Sequence, residues 1–397
     1  MNPRVLVVIP SEPLHLYEKK GIYTWLERYY NPAGFFDKVY LLSPLETEKR
    51  FAYGMEIIPI TSVTQFKQLV KEIHPVCVRT YGAYWATSYG VINRIKGIPV
   101  VASIHDPNPA YIFKGIKRAS FVFSMSQKLT SILEQKGIEG GRVISSGNRV
   151  DFELFKKIAP TDLHVRKIRA AYPKGKMLLH IGRITEQKNL KTVISALEFL
   201  PEDYFLVFIG RGVMPEINKQ IIDLNLEHRI FNVLTVPNSQ LPYWFNACDV
   251  FVTPSLWEGF GVVFLEAAAC QTRLVTSDIK PLNEFLTHDG DSVTLVQEYT
   301  DPKAISQAVV EILKEDGSST LTYDFIKNRY AVEAIEKIEI DFYKKIISGE
   351  LQDTFLDDYW GRKRYEIVYK FSSFKKSFTE RLKESTKLKL LLKRIKN

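Results

Sequence analysis

Cysteine is scarce in this chain of 397 residues: Cys77, Cys248 and Cys270 stand far apart. They form neither a metal-ligand spacing nor a disulfide framework, and they fit a reducing compartment. Long hydrophobic runs are missing too. The first apolar run, Arg4 to Pro10, is too short for a signal peptide or a bilayer-spanning helix and reads as a buried strand. No later run reaches the length needed to cross a bilayer, so a cytoplasmic protein is expected, at most peripheral on the inner face of a membrane. Short internal repeats and low-complexity linkers are also lacking. An excess of one charge is absent from most of the chain: the net charge is +9, yet residues 361–397 alone hold thirteen Lys and Arg against three Glu. The body is near neutral, and without an aromatic RNA-binding motif no nucleic-acid partner is expected.

With 45% hydrophobic residues, the chain is long enough for two cores. Short apolar runs alternate with helix-like stretches. Strands are expected at 5–9, 39–42, 76–78, 100–104, 121–123 and 143–144, and helices at 22–30, 63–73, 85–96 and 127–136. The pattern pauses near Ala159-Pro160-Thr161-Asp162. It resumes with strands at 178–181, 205–209, 231–234, 250–252, 274–275 and 293–296. Such alternation predicts an α/β protein of two doubly wound, Rossmann-like domains facing a cleft. Two helices are expected beyond Asp301, the second over 329–347, followed by a basic tail. The expected divisions are residues 1–160, 161–328, a helix at 329–350 that crosses back to the first domain, and a tail at 351–397.

The most informative stretch is Thr253-Pro254-Ser255-Leu256-Trp257-Glu258-Gly259-Phe260-Gly261, which runs into the Ala-rich segment ending at Cys270. It reads as strand, glycine-bearing loop and helix N-terminus, a geometry that aims backbone amides at one spot and favours anions. Glu258 lies on the loop. Glu266, eight residues on, falls on the helix and should lean back toward its N-terminus. Taken alone, the stretch also fits an ordinary turn with a dipole-complementing acid.

In open parallel sheets ligands sit beyond the carboxyl ends of the strands, so the other strand ends are the next place to look. The second domain's first strand ends in Gly182-Arg183, with Lys188-Asn189 close behind. Arginine grips phosphate bidentately and lysine acts as a point charge, so the pair suits a diphosphate; two solvated loop cations are the alternative. The next strand ends in Gly210-Arg211-Gly212, and the third leads to Val236-Pro237-Asn238, where free main-chain groups would read a flat base. In the first domain a strand ends at His105, facing the cleft, where it is either a structural or a catalytic histidine.

Taken together, Gly182-Arg183, Lys188-Asn189, Gly210-x-Gly212 and the Glu258-x7-Glu266 element with its Gly-Phe-Gly centre resemble the retaining, nucleotide-sugar-dependent glycosyltransferases of family 4, which have the GT-B fold. The order and spacing match over most of residues 1–347; His105-Asp106, and Asn148-x-Val150-Asp151 with Phe155, match family positions in the first domain. The resemblance implies a hexosyl transfer from a nucleoside-diphosphate sugar to a glycan or lipid-linked acceptor in cell-envelope polysaccharide or glycolipid synthesis. It also implies that no metal or other cofactor is needed. Arg183 and Lys188 would hold the diphosphate and stabilise it as it leaves, Glu266 would accept from the ribose hydroxyls, and Glu258 would sit at the sugar ring. Gly182, Gly210, Gly259, Phe260 and Gly261 would line the donor. His105 would lie across the cleft near the reacting carbon.

The chain departs from the family pattern at several places. Gln271-Thr272-Arg273 stands where Gly-x-Pro is usual, and Asn148-Arg149-Val150-Asp151 replaces Asn-Gly-Val-Asp. The usual Gly-Gly loop after the first strand is missing; Gly21 is its nearest substitute, and Arg79 after the third strand is a second acceptor-side candidate. In the tail, Phe371, Phe374, Phe378 and Leu382 recur at helical spacing among lysines, a pattern that suits an anionic membrane surface or a helix packed on the body. A sugar phosphorylase or nucleotide-sugar epimerase would share the phosphate-binding logic, and a non-catalytic glycan- or nucleotide-binding protein would keep the fold.

Overall fold

Runs of four to six residues rich in Val, Ile, Leu and Phe form the centres of two sheets in a computed structural model, which describes residues 3–19, 25–82, 84–212 and 214–353. The first sheet contains β1 (Val5–Ile9), β2 (Lys38–Ser43), β3 (Arg50–Ala52), β4 (Met55–Pro59), β5 (Cys77–Tyr81), β6 (Val100–Ile104), β7 (Phe121–Ser124) and β8 (Val143–Ser145). Their spatial order is 3-4-2-1-5-6-7-8, and only β3 runs antiparallel to its neighbour. The second sheet has β9 (Lys176–Ile181), β10 (Tyr204–Ile209), β11 (Ile230–Val233), β12 (Val250–Thr253), β13 (Leu274–Ser277) and β14 (Val293–Val296), all parallel, in the order 11-10-9-12-13-14. Every residue of β1, β5, β6 and β7 is buried, as strands covered by helices on both faces require.

The sequence pattern locates twelve of these strands and misses β3 and β4. β3 is a three-residue edge with no buried residue, and Phe51 at its centre is 76% exposed, so it carries no inside-outside alternation. Tyr53 and Gly54, both at positive φ, turn it back onto β4. The helix Val63–Ile73 starts where Ser62 accepts from the Gln65 amide, and Gln127–Gln135 starts at Ser126 in the same way. The expected helix at 85–96 stops at Ile92.

Among the described residues beyond Asp301 there are three helices, not two: Pro302–Ile312, Leu321–Tyr330 and Val332–Ile347. Ala331, at φ −57 and ψ 149, breaks the expected long helix in two and pairs in a parallel bridge with Val150. From there Val332–Ile347 lies against the first sheet, with Phe342 edge-on to Phe121 and Phe123. Burying each such ring stabilises by about 1.5–3 kcal/mol. Arg28 clamps Glu336 through two bonds of 2.7 and 2.8 Å. No helix among the described residues is long and apolar enough to cross a membrane.

Candidate active site

The two halves of the strongest sequence pattern meet because of the strand order. β9 and β12 are neighbours although about seventy residues separate them, and their register pairs Phe251 with Leu179. Their carboxyl ends therefore open side by side at the point where strand order reverses, the ligand crevice of a doubly wound sheet. Asn189, in the left-handed conformation, ties the two loops together by donating to the Pro254 carbonyl at 3.0 Å. Leu256 donates its amide to the Gln187 carbonyl at 2.8 Å.

Within this frame Lys188 Nζ donates to Glu258 Oε1 at 2.6 Å, and Ser255 Oγ donates to the same oxygen at 2.7 Å. The pair is nearly enclosed, with side-chain exposures of 12% for Lys188 and 5% for Glu258. Glu258 Oε2 has only a long contact of 3.5 Å from Gln187 Nε2. Arg183 is exposed and reaches Gln187 Oε1 at 3.4 Å. Gly261 caps the helix Val262–Ala269 at φ 95, where an added Cβ would stand 2.8 Å from Leu282 Cδ2, so only glycine fits. The helix N-terminus consequently opens into the crevice.

Glu266 lies more than a turn into that helix and has a different partner: Asn238 Nδ2 donates to its Oε1 at 3.2 Å. Burial drives its pKa up to about 7, against the smaller lowering effect of Asn238. It faces a cavity of about 180 Å³ whose other walls include Asn238, Arg149, Tyr29 and Trp25, so both domains contribute. A second cavity, of about 590 Å³, is lined by Thr185, Leu190, Glu216 and Leu256 on the outer flank of the β9 loop, and neither Lys188 nor Glu266 borders it.

On the first domain, His105 follows β6 and its Nε2 lies 3.3 Å from the Tyr29 hydroxyl, with its ring stacked over Tyr81. Burial lowers its pKa to about 4, with help from the Arg79 and Arg149 charges, so the imidazole is neutral at neutral pH. The loops meet across the cleft: a Cβ added to Gly259 would stand 3.3 Å from Pro107 Cδ and 3.4 Å from the His105 carbonyl oxygen. His105 thus shares one crevice with residues 258–261.

Three expected site residues need correction or refinement. Arg79 is not on the acceptor side of the cleft: it is 1% exposed, and its guanidinium is spent on Ser103, Glu339 and Tyr343. It points inward because its strand is buried on both faces. Phe260 turns its ring into the core, stacked on Phe285 at 4.9 Å, and offers the crevice only its backbone. Gly210 serves packing first, since a Cβ there would fall 1.8 Å from the Gly182 carbonyl oxygen. Gly21, like the basic tail, lies outside the described residues.

Pattern reading overlooked Tyr29, Arg149 and His180. Only Arg149 left a signal, as an arginine where glycine is usual. His180 is buried beneath this loop; its Nδ1 lies 3.0 Å from the Val252 carbonyl, so that nitrogen carries the proton and Nε2 is left without a partner. Among the described residues no three His, Cys, Asp or Glu gather as a metal site requires.

Residues 164–332 match the sequence model of the family described as glycosyl transferases group 1. The O-antigen chain mannosyltransferase B of Escherichia coli is 32% identical over 144 residues, 35% of this chain and 37% of that protein. The N-acetylgalactosamine-N,N'-diacetylbacillosaminyl-diphospho-undecaprenol 4-alpha-N-acetylgalactosaminyltransferase of Campylobacter jejuni is 31% identical over 195 residues, 49% and 50% of the two chains. The chain therefore spans half or less of the length of these two relatives. Among solved structures, HepE of Anabaena in complex with UDP superposes with a TM-score of 0.69 at 19% identity, over 86% of this chain and 100% of that one. Sucrose-phosphate synthase of Thermosynechococcus elongatus superposes with a TM-score of 0.68 at 17% identity, over 87% and 100%. The chain has the GT-B fold, and its second domain, over residues 164–332, carries the group 1 glycosyl transferase match.

Proposed function

We propose that this protein is a retaining glycosyltransferase that moves a hexosyl-type sugar from a nucleoside diphosphate to a glycan or lipid-linked acceptor in cell-envelope glycan synthesis. The observation that carries the reading is the meeting of Lys188 and Glu258 with a helix N-terminus at the β9/β12 crevice, opposite His105. The named relatives, an O-antigen mannosyltransferase and a transferase to a diphospho-undecaprenol acceptor, support the substrate class.

In this reading Lys188 and Arg183 receive the donor diphosphate, and the amides at the helix N-terminus face it. Glu258, with Oε1 already holding Lys188 and Ser255, has Oε2 free to accept from a sugar hydroxyl. Glu266 takes the ribose hydroxyls and Asn238 steadies it. The bond from the anomeric carbon to the diphosphate oxygen breaks, a bond to the acceptor hydroxyl oxygen forms on the same face, and the hydroxyl proton passes to the departing diphosphate. The positive charges offset the charge that develops on the leaving group, so the reaction would proceed without a metal ion. Closure of two domains over the crevice keeps water from the cationic sugar.

Incubating the protein with UDP-, GDP- and ADP-sugars and envelope lipid extracts, with product anomers assigned by NMR, tests the reading. Transfer with retention, persisting in a metal chelator, is expected. Donor binding without transfer to any extract would leave a binding protein instead. For residues 361–397 the proposed role is contact with an anionic surface; deleting them should abolish pelleting with anionic liposomes, and unchanged pelleting would rule that role out.

A further inference from the structure

Glu339 lies on the returning helix, buried, and holds two guanidiniums on one oxygen: Arg79 at 2.7 Å and Arg149 at 2.9 Å. One carboxylate thus balances two cations, and among the described residues the surplus charge has no second acid within ion-pair distance. Arg79 spends its remaining donors on Ser103 and Tyr343. Arg149 does not, since its Nη1 is buried and without a partner. An uncompensated buried cation is costly, and its unsatisfied N–H adds to that cost.

Arg149 is also the residue that borders the cavity shared by the two domains. Its guanidinium lies 5.1 Å from the centre of the Tyr29 ring, and the same cavity is walled by Asn238 and Glu266 from the donor-side domain. The acids that line this cavity are otherwise engaged. Asp151 accepts the Glu153 amide at 2.8 Å, and Glu266 accepts from Asn238. The position is one where the family pattern has glycine, which brings no charge.

We infer that Arg149 is a specificity-determining residue that receives an oxyanion of the donor through Nη1, from the first-domain wall of the cavity it shares with Asn238 and Glu266. The inference rests on the proposed donor reading. Two parts of a sugar nucleotide present this chemistry: the diphosphate, and a carboxylate on the sugar of a uronic acid donor. Both suit a guanidinium, which pairs with planar or tetrahedral oxyanions through parallel N–H bonds.

Calorimetric titration of the full chain with UDP, GDP, ADP, UDP-glucose and UDP-glucuronate, repeated on Arg149→Gln and Arg149→Lys, tests it. A fall of about tenfold in diphosphate affinity in Arg149→Gln assigns the diphosphate. Unchanged UDP affinity, with loss of a preference for UDP-glucuronate over UDP-glucose, assigns the carboxylate. Either supports the inference, and Arg149→Lys should retain part of the effect because it keeps the charge. Unchanged affinity for every ligand in a folded Arg149→Gln overturns it. Where Arg149→Gln does not fold, Arg149→Lys decides the same way: weakened binding supports, unchanged binding overturns. If the unaltered chain binds none of the diphosphates, the donor reading itself falls, and this inference with it.

Discussion

Glu339 and Glu258 both hold enclosed cations, and they sit in opposite surroundings. Glu339 joins Arg79 in a buried layer between the returning helix and the first sheet, with Arg79 and Glu339 side chains 2% and 1% exposed, and also holds Arg149 at the edge of that layer. Glu258 holds Lys188 at the mouth of a crevice, on a loop that starts where β12 ends. The first arrangement has aromatic rings on its flanks: the Arg79 guanidinium lies over Phe123 and Tyr81. The second has a helix N-terminus and a glycine loop. Similar ion-pair chemistry makes a strut at Arg79 and Glu339, enclosed between helix and sheet, and a receiving site at Lys188 and Glu258.

The contrast is most sharply tested at the strut. Glu339→Ala leaves two buried guanidiniums with no counter-charge, and removing one partner of a buried pair costs about 3–5 kcal/mol. Urea unfolding followed by tryptophan fluorescence should show a loss of that size; a loss below about 1 kcal/mol would mean the cluster does not brace the helix. Lys188→Ala should behave the other way. It leaves Glu258 its bond from Ser255, so stability falls less than in Glu339→Ala, while kcat/KM for the donor falls by about 10²–10³. Equal turnover in Lys188→Ala and the unaltered chain would remove Lys188 from the chemistry.

Glu266 tests the same contrast by pH. Its folded pKa, near 7, stands above that of an unfolded glutamate. The folded state therefore binds the extra proton between about pH 4.3 and 7, and stability from this group is full below that window and lost as pH rises through it. His105 and His180, held down at about 4, act in the opposite sense: their stability is lost as pH falls from about 6.5 toward 4. Glu266→Gln isolates the first effect. Its stability relative to the unaltered chain should rise from pH 4.5 to pH 8 in parallel urea titrations, and a flat difference would put Glu266 in an ordinary carboxylate environment.

Much of this was legible in the residues. Buried parallel strands are continuous apolar runs, so twelve of fourteen could be placed. The Glu258 to Glu266 spacing marked a strand, loop and helix because glycine and proline punctuate it. What the spacing did not show is that the two glutamates have different partners, Lys188 on one loop and Asn238 on another, since partnership depends on the order in which strands assemble. Arg79 was misplaced for a related reason: a charge at a strand end reads as a cleft residue until the returning helix, some 260 positions later in the chain, supplies Glu339. The edge strand β3 was lost because it has no buried face.

The smallest stability effect belongs to Arg183, and it separates two kinds of cation on one loop. Arg183 is exposed and its side chain makes a single long contact with Gln187, so Arg183→Ala should change stability by no more than about 0.5 kcal/mol. Its contribution to donor binding would act through solvent, where the Debye length is about 10 Å at 0.1 M salt. Lys188 is enclosed against Glu258 and less open to screening. The loss of UDP affinity in Arg183→Ala should therefore shrink as salt is raised from 0.05 to about 0.5 M, while the loss in Lys188→Ala persists. A salt-independent loss at Arg183 would place its guanidinium in direct, water-excluded contact with the diphosphate, and the loop would then have to fold inward when the donor binds.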